Sequence, residues 1–297
     1  MNSATPVSER AARLASADHL TGPRAPNETL RARAWPLPAW PSGLARRTAY
    51  ALTGLVLPAL LLALWELAVV RVWLPPQILP PPARVYASLL DLFASGDLQT
   101  ALEISLGRVA WSCLIGGGIG LLLGLAMGVS RGVRAYVLPT FEVVSQFPVV
   151  GWIPLLIIFV GIDEALKISA ISLAVVTPVA VNTYKGVANV PRSLLEVARV
   201  HCLRLHQVMM RVVFPAALPS LFNGVRQGVM QAWLSLVFVE LLASSEGIGY
   251  LMVWGRQLMQ LDLVVVGMIV IGAVGMLLDA VLRRLEARLV RWQRGAF

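Results

Sequence analysis

The sequence predicts an all-α, polytopic membrane protein. Three features carry that expectation: an apolar composition, six long apolar stretches, and basic residues gathered on one side of them. Of the 297 residues, 57% are hydrophobic and 14% charged, against roughly 45–50% and 25% in soluble domains. A formal net charge of +9 invites comparison with nucleic-acid binders. The basic residues, however, fall in short clusters between apolar runs, without basic and aromatic residues interleaved. The expected surroundings are therefore a lipid bilayer and no nucleic acid. Cys113, inside an apolar run, and Cys202, inside a basic loop, cannot make the disulfide framework of a secreted domain.

Residues 1–45 are rich in Ala, Arg, Pro and Ser, end in WPLPAWPSG (Trp35 to Gly43), and hold no apolar core of signal-peptide length. They read as a flexible cytoplasmic tail. A membrane-crossing helix needs about 20 mostly apolar residues, and stretches approaching or meeting that length lie at 48–70, 108–129, 140–161, 165–184, 219–243 and 260–281. Six transmembrane helices put both ends of the chain on one side. That side collects 20 of the 25 Lys and Arg residues, leaving Arg71, Arg84, Arg108, Lys167 and Arg256 for the other. Cytoplasmic loops carry the excess of basic residues, so both termini are expected in the cytoplasm. The outer face then carries LPPQILPPP (Leu74 to Pro82), GIDE (Gly161 to Glu164) and SSEGIGY (Ser244 to Tyr250) as docking surfaces. The chain divides into the tail at 1–45, a first span with its Pro-rich connection at 46–104, a membrane core at 105–285 and a cytoplasmic tail at 286–297. Two surface-lying helices are expected, near Val85–Phe93 outside and Leu194–Val212 inside.

Within the second span, Gly116, Gly120, Gly124 and Gly128 recur every fourth residue. They share one helix face and allow close helix packing, either static or as a sliding contact. Ionisable and amide groups inside spans are costly and tend to face a bundle interior or a water-filled path. Gln146, Gln231, Trp233 and Glu240 are the path candidates, with Asn182 among the wider polar set. Glu66, Glu142 and Arg226 suit interfacial positions near helix ends. Pro148, Pro154 and Pro178 break the hydrogen-bond ladder and permit kinks. His19, His201 and His206 have no metal-ligand spacing. No catalytic residue, metal site or cofactor is expected in this chain, which lacks G-x-S-x-G, H-E-x-x-H and G-x-x-x-x-G-K-[ST].

The segment from Pro191 to Pro219 carries the most information. Leu195, Ala198, Cys202, Leu205, Met209 and Val212 recur at three- and four-residue spacing, so a helix here has one continuous apolar stripe. Such a helix, too polar to span, lies on the membrane surface or inserts into a groove of another protein.

These residues resemble the EAA loop of binding-protein-dependent ABC importer permeases: Glu-Ala-Ala, then a Gly three residues on, then an apolar-x-Leu-Pro close. The pattern falls on Glu196-Val197-Ala198, Cys202 and Val212-Val213-Phe214-Pro215, with Val197 and Cys202 as departures. The resemblance extends from about Ser105 to Trp292 through SLGRVAWSCLIGGGIGLLLGLAMGVSR, FPVVGWIPLLIIFVGIDEALKI, NGVRQGVMQAWLSLVFVELLASSEGIGYL and LDLVVVGMIVIGAVGMLLDAVLRRLEARLVRW. Together these look like the permeases of the sulfonate, taurine and nitrate import class.

The resemblance implies a type I ABC importer transmembrane domain at 105–285, with an EAA coupling loop at 191–219. It implies a second permease subunit, as a homodimer, ATPase subunits on the cytoplasmic loops that bind ATP and magnesium, and an extracytoplasmic solute-binding protein. Glu196, Val197, Ala198, Cys202, Leu205 and Pro215 would form the ATPase-coupling loop in a bacterial plasma membrane. If the family's Gly position needs a positive φ, Cys202 adds strain of about 1 kcal/mol there. The competing expectation is an ion-coupled secondary transporter or channel acting without an ATPase. It would need midplane ionisable groups, which are sparse, and an internal repeat, which is not evident.

Overall fold

The structure, a computed structural model, describes residues 43–73, 75 and 78–289, with side chains from Val56 onward. The predicted tail up to residue 42 and residues 290–297 lie outside the described residues. Residues up to Leu60 form one unit and Leu61–Phe297 another, and the helical bundle belongs to the second. Every regular element among the described residues is helical.

Helix α1 (Gly43–Val70) accommodates Pro58 in its interior. Its apolar described part is Val56–Val70. Trp65 Nε1 donates to the Pro80 carbonyl at 3.0 Å, drawing the Pro-rich connection back against the helix. Helix α2 (Pro82–Ser95) begins on Pro82, where a missing N–H costs nothing. It ends at Gly96, whose φ of 86° makes the left-handed stop. Its range covers the helix predicted near Val85–Phe93. Ser88 Oγ donates to Asp262 Oδ2 at 2.5 Å and Arg84 approaches Asp262 at 3.6 Å, which fastens α2 to the start of the last helix.

Helix α3 (Asp97–Val129) starts well before the predicted 108–129. Ser130 then caps α4 (Arg131–Ser145) by accepting from the Val133 N–H at 3.3 Å. Arg134, on the first turn of α4, donates to the Met127 carbonyl at 3.1 Å, satisfying an orphan acceptor at the end of α3. Helix α5 (Val149–Val160) follows a break at Gln146–Pro148. The stretch 140–161, predicted as one helix, is instead the meeting of α4 and α5 at a 99° bend. Pro148 has no N–H and disfavours a helical conformation at Phe147, so a single straight helix cannot pass through. Helix α6 (Glu164–Ala188) accommodates Pro178 in its interior.

The glycine line decides how α3 meets α6. A Cβ on Gly116 would overlap the Ser172 carbonyl. One on Gly120 would stand 2.8 Å from the Val176 carbonyl, and one on Gly128 2.7 Å from Val187 Cβ. Residue numbers rise together along both helices, so α3 and α6 run parallel. The chain between them must therefore return across the same length, which the bent α4–α5 pair does.

Beyond α6 lie α7 (Arg192–Val200), α8 (Leu205–Val208), a π-helical turn at Met209–Val213, and α9 (Phe214–Ala243). The stretch Leu205–Ala243 is continuous, and Pro215 is tolerated near the start of α9. Helix α9 packs antiparallel to α6, with Gly224 against Asn182 and Gly228 against Val179. Helices α10 (Ile248–Gln257) and α11 (Leu261–Leu289) complete the bundle. Trp233, only 2% exposed, donates from Nε1 to the Ile271 carbonyl at 3.1 Å and lies over Gly275, joining α9 to α11.

Four helical stretches are long and apolar enough to cross a membrane: Asp97–Val129, Glu164–Ala188, Leu205–Ala243 and Leu261–Leu289. The bent pair brings the number to five among the described residues. The expected six is not reached among the described residues, and the expected first span, 48–70, begins before Val56, ahead of the described side chains.

Gly117 and Gly118 face open space, with nothing within 4 Å of an added Cβ, while Gly120 faces α6 backbone. Gly120→Leu is expected to lower stability by about 1–3 kcal/mol or more through overpacking, and Gly117→Leu to stay within roughly 0.5 kcal/mol. Thermal unfolding in detergent micelles measures both, and equal losses would show that the line is not a packing seam.

Candidate functional site

Two ion clusters sit toward opposite ends of the α3–α6–α9 bundle. At one end, Arg108 on α3 and Glu240 on α9 are buried, with side chains 2% and 1% exposed, and pair at 2.7 Å. Arg108 also donates to both Glu164 oxygens, at 2.6 and 2.8 Å, and to the Glu246 carbonyl at 2.9 Å. Lys167 joins Glu164 at 2.6 Å. Glu240 further accepts from Ser105 Oγ at 2.8 Å and the Gly249 N–H at 2.9 Å. Gly247, with φ 101°, turns against the Glu240 carboxylate where any Cβ would collide with it. Charges so placed are tolerable because each is paired and hydrogen-bonded. The cluster welds the starts of α3, α6 and α10 to the end of α9.

At the other end, Arg226 pairs with Asp279 at 2.9 Å and Glu286 at 3.2 Å, and Arg283 reaches Asp279 at 2.6 Å. Arg226 lies well inside α9, so the expected helix-end position is corrected. Two facing carboxylates on α11 are what let the guanidinium sit there.

A cavity of about 1250 Å³ is bounded by α3, α4, α5, α6 and α9, with Asp279 of α11, and reaches the Arg226 cluster. Its volume is at or above the roughly 300–1,000 Å³ of small-molecule pockets. Apolar walls come from Ile115, Ile119, Phe141, Trp152, Met230 and Leu234. Polar groups come from Ser145 and Gln146 at the α4–α5 bend, Ser169, Ser172, Thr177 and Asn182 on α6, and Asn223, Gln227 and Gln231 on α9. The charged lining residues are Arg226 and Asp279, which neutralise one another.

Of the predicted path residues, Gln146 and Gln231 line this cavity, while Trp233 and Glu240 do not. Trp233 faces α11 and Glu240 is enclosed by the Arg108 cluster. Asn223 and Gln227 are not among the residues predicted from sequence. Their signal is nonetheless present there, because 223, 227 and 231 are amides at successive four-residue steps, on one face of a mostly apolar span. The role of Arg108 is hidden in the sequence by its position at the edge of a span, where interfacial basic residues are ordinary.

The segment after α6 differs from the single striped helix predicted over Leu194–Val212. Helix α7 stops at Val200, and Cys202 adopts φ 49°. The Cys202 N–H donates to the Arg199 carbonyl at 2.9 Å and the Leu203 N–H to the Ala198 carbonyl at 3.1 Å. These two bonds make a Schellman stop. The chain then re-enters helix at Leu205, so Leu195, Ala198, Cys202, Leu205, Met209 and Val212 do not form one stripe. Ala198 is buried, whereas Glu196 and Cys202 are exposed and Pro215 is half-buried. The exposed apolar residues there are instead Leu194, Val197, Val200 at 82%, Leu205 at 75% and Met210. A left-handed residue at 202 is the conformation in which Gly costs least, which explains why the family pattern places Gly there.

Apolar helices around a half-polar cavity have the architecture of a membrane transport subunit. The chain belongs to the binding-protein-dependent transport system inner membrane component family, whose model matches residues 116–291. It is 37% identical to the putative aliphatic sulfonates transport permease protein of Bacillus subtilis (strain 168), over 81% of this chain and 87% of that one. It is 33% identical to the taurine transport system permease protein of Escherichia coli (strain K12), over 79% and 87%. Against the nitrate import permease protein of Synechocystis sp. (strain ATCC 27184 / PCC 6803 / Kazusa), identity is 30%, over 71% and 80%. The chain is therefore an ABC importer permease, a transport subunit and not an enzyme.

This geometry sets two expected outcomes. Glu240→Ala strands Arg108 in the interior and is expected to cost about 3–5 kcal/mol, read as a lowered unfolding midpoint in detergent. Cys202→Gly is expected to gain about 1 kcal/mol and to keep transport, while Cys202→Val loses stability because a β-branched residue resists positive φ. A Cys202→Gly protein that assembles but does not transport would make the thiol a specific contact.

Proposed function

We propose that this permease imports a small oxyanion, an aliphatic sulfonate, taurine or nitrate, across the plasma membrane of a bacterium. Movement is by alternating access. Two copies of the chain form the path, and two ATPase subunits bind the cytoplasmic loops, supplying the ATP and magnesium chemistry. A solute-binding protein delivers the substrate from outside. The termini lie in the cytoplasm by the distribution of Lys and Arg. The relatives named for sulfonate, taurine and nitrate transport support the substrate class.

The observation that carries the coupling role is the set of exposed apolar residues Leu194, Val197 and Val200 on α7, a helix on which Ala198 is buried. A short helix with one face seated on its own chain and an apolar face left bare suits a groove in a partner. Glu196, Val197 and Ala198 bring the family's triplet to this helix. The Cys202 stop sets its direction relative to α9, so a push on α7 is passed to a helix that lines the cavity. Pro215 lies where α9 begins.

Reconstitution of the chain with its ATPase and binding protein in proteoliposomes tests this proposal. Uptake of taurine, an alkanesulfonate or nitrate is expected to require ATP and the ATPase. Val197→Asp and Val200→Asp are expected to reduce ATPase co-purification and uptake by about tenfold or more, since an unpaired charge in an apolar groove costs upwards of about 1.4 kcal/mol. Uptake without ATP or a second protein would refute the coupling role.

A further inference from the structure

The cavity wall formed by α6 and α9 holds a hydrogen-bonded set of amides whose orientation is dictated by the backbone. Asn182 Nδ2 donates to the Pro178 carbonyl at 2.8 Å. A carbonyl can only accept, so this contact decides which end of the Asn182 amide carries nitrogen. Asn182 Nδ2 also donates to Gln227 Oε1 at 3.1 Å, and Asn182 Oδ1 accepts from Asn223 Nδ2 at 3.0 Å. Gln227 Oε1 thereby has a partner, and its Nε2 group makes no hydrogen bond among the described residues, which leaves its two N–H donors for a ligand. Asn223 keeps one N–H. Gln231 continues the row one helical turn further, so the three α9 amides extend along the cavity wall for about 12 Å at 1.5 Å per residue.

The cations nearby are already paired with carboxylates. Arg226 is held by Asp279 and Glu286, and Arg283 by Asp279, so two cations face two carboxylates. What the cavity offers is a row of neutral amides with no unpaired charge, among which Gln227 has its oxygen engaged and its donors free. We propose that Asn223, Gln227 and Gln231 form a donor ladder that binds an oxyanion in transit, with Gln227 the central donor and Asn182 a positioning residue that orients it. This rests on the importer reading and names the residues of its path. Neutral N–H donors suit a ligand that must leave again, because a conducting site must bind weakly enough to release. The α4–α5 bend lines the same cavity, with Gln146 adding a further neutral amide.

The test is the charge sign at position 227 in the permease–ATPase–binding protein complex, with uptake of nitrate, taurine and ethanesulfonate measured in proteoliposomes. Gln227→Glu is expected to lower uptake of all three at least about tenfold, and Gln227→Leu less. Gln227→Lys is expected to slow release, giving a lower maximal rate with a lower half-saturating concentration. Asn182→Leu, which frees Gln227 to flip, is expected to lower uptake several-fold, with Asn182→Gln recovering part of it. If the Gln227 variants fail to co-purify with the ATPase, Asn223→Asp against Asn223→Lys gives the same comparison. Equal losses for Glu and Lys, or uptake indifferent to all of these changes, would overturn the ladder. A wild-type complex that imports only neutral or cationic solutes with ATP would keep the importer reading and overturn the ladder. Uptake independent of ATP would overturn the importer reading, while the Glu-against-Lys ordering would still decide the ladder.

Discussion

The close backbone approach of α3, α6 and α9 is the constraint on which the rest of the molecule depends. Lipid removes most of the hydrophobic drive between helices, so association rests on contact at short range and on satisfied polar groups. Gly116, Gly120, Gly124 and Gly128 bring α3 onto the α6 backbone, and Gly224 and Gly228 do the same for α9. Three helices held this tightly leave their opposite faces to other tasks. One such face, on α6 and α9, becomes the cavity wall. The parallel run of α3 and α6 obliges the chain to cross between them, and the bent pair that does so closes the cavity from the other side.

Charge is handled in the same spirit at the two ends. Arg108 and Glu240 could not be buried singly, and Ser105, Glu164, Lys167, Glu246 and Gly249 surround them with partners. Arg226 enters the cavity lining only because α11 brings two carboxylates to it. Both clusters are locally balanced, which leaves the polar character of the cavity to side-chain amides. The consequence is a path whose selectivity comes from donors and acceptors in preset orientations rather than from a bare field.

The coupling segment shows how one residue conformation changes a surface. Periodicity through Pro191–Pro219 is compatible with one long helix, and helix propensity alone would extend it past Cys202. The left-handed turn at Cys202 divides the helix, rotates the second part relative to the first, and exposes Leu194, Val197, Val200 and Leu205 in place of the expected row. Stability is given up at that turn, where a side chain occupies a backbone conformation suited to glycine. The resulting bend connects an exposed helix directly to α9.

Much of this was legible from the chain alone, for physical reasons that are local. Composition and the length of apolar runs report the solvent a segment must face, so the all-helical membrane class followed. The spacing of the four glycines marked a packing face before any partner was known, and Gln146 and Gln231 stood out as amides inside apolar spans. Pro148 announced a break, though the 99° between α4 and α5 did not follow from it. Tertiary structure alone decided which polar residues meet: Arg108 with Glu164 and Glu240, Asn182 with Asn223 and Gln227, Arg226 with Asp279 and Glu286. Those pairs are separated by 41 to 132 residues. Sequence periodicity reports which face a residue occupies on its own helix, but not which helix that face will meet.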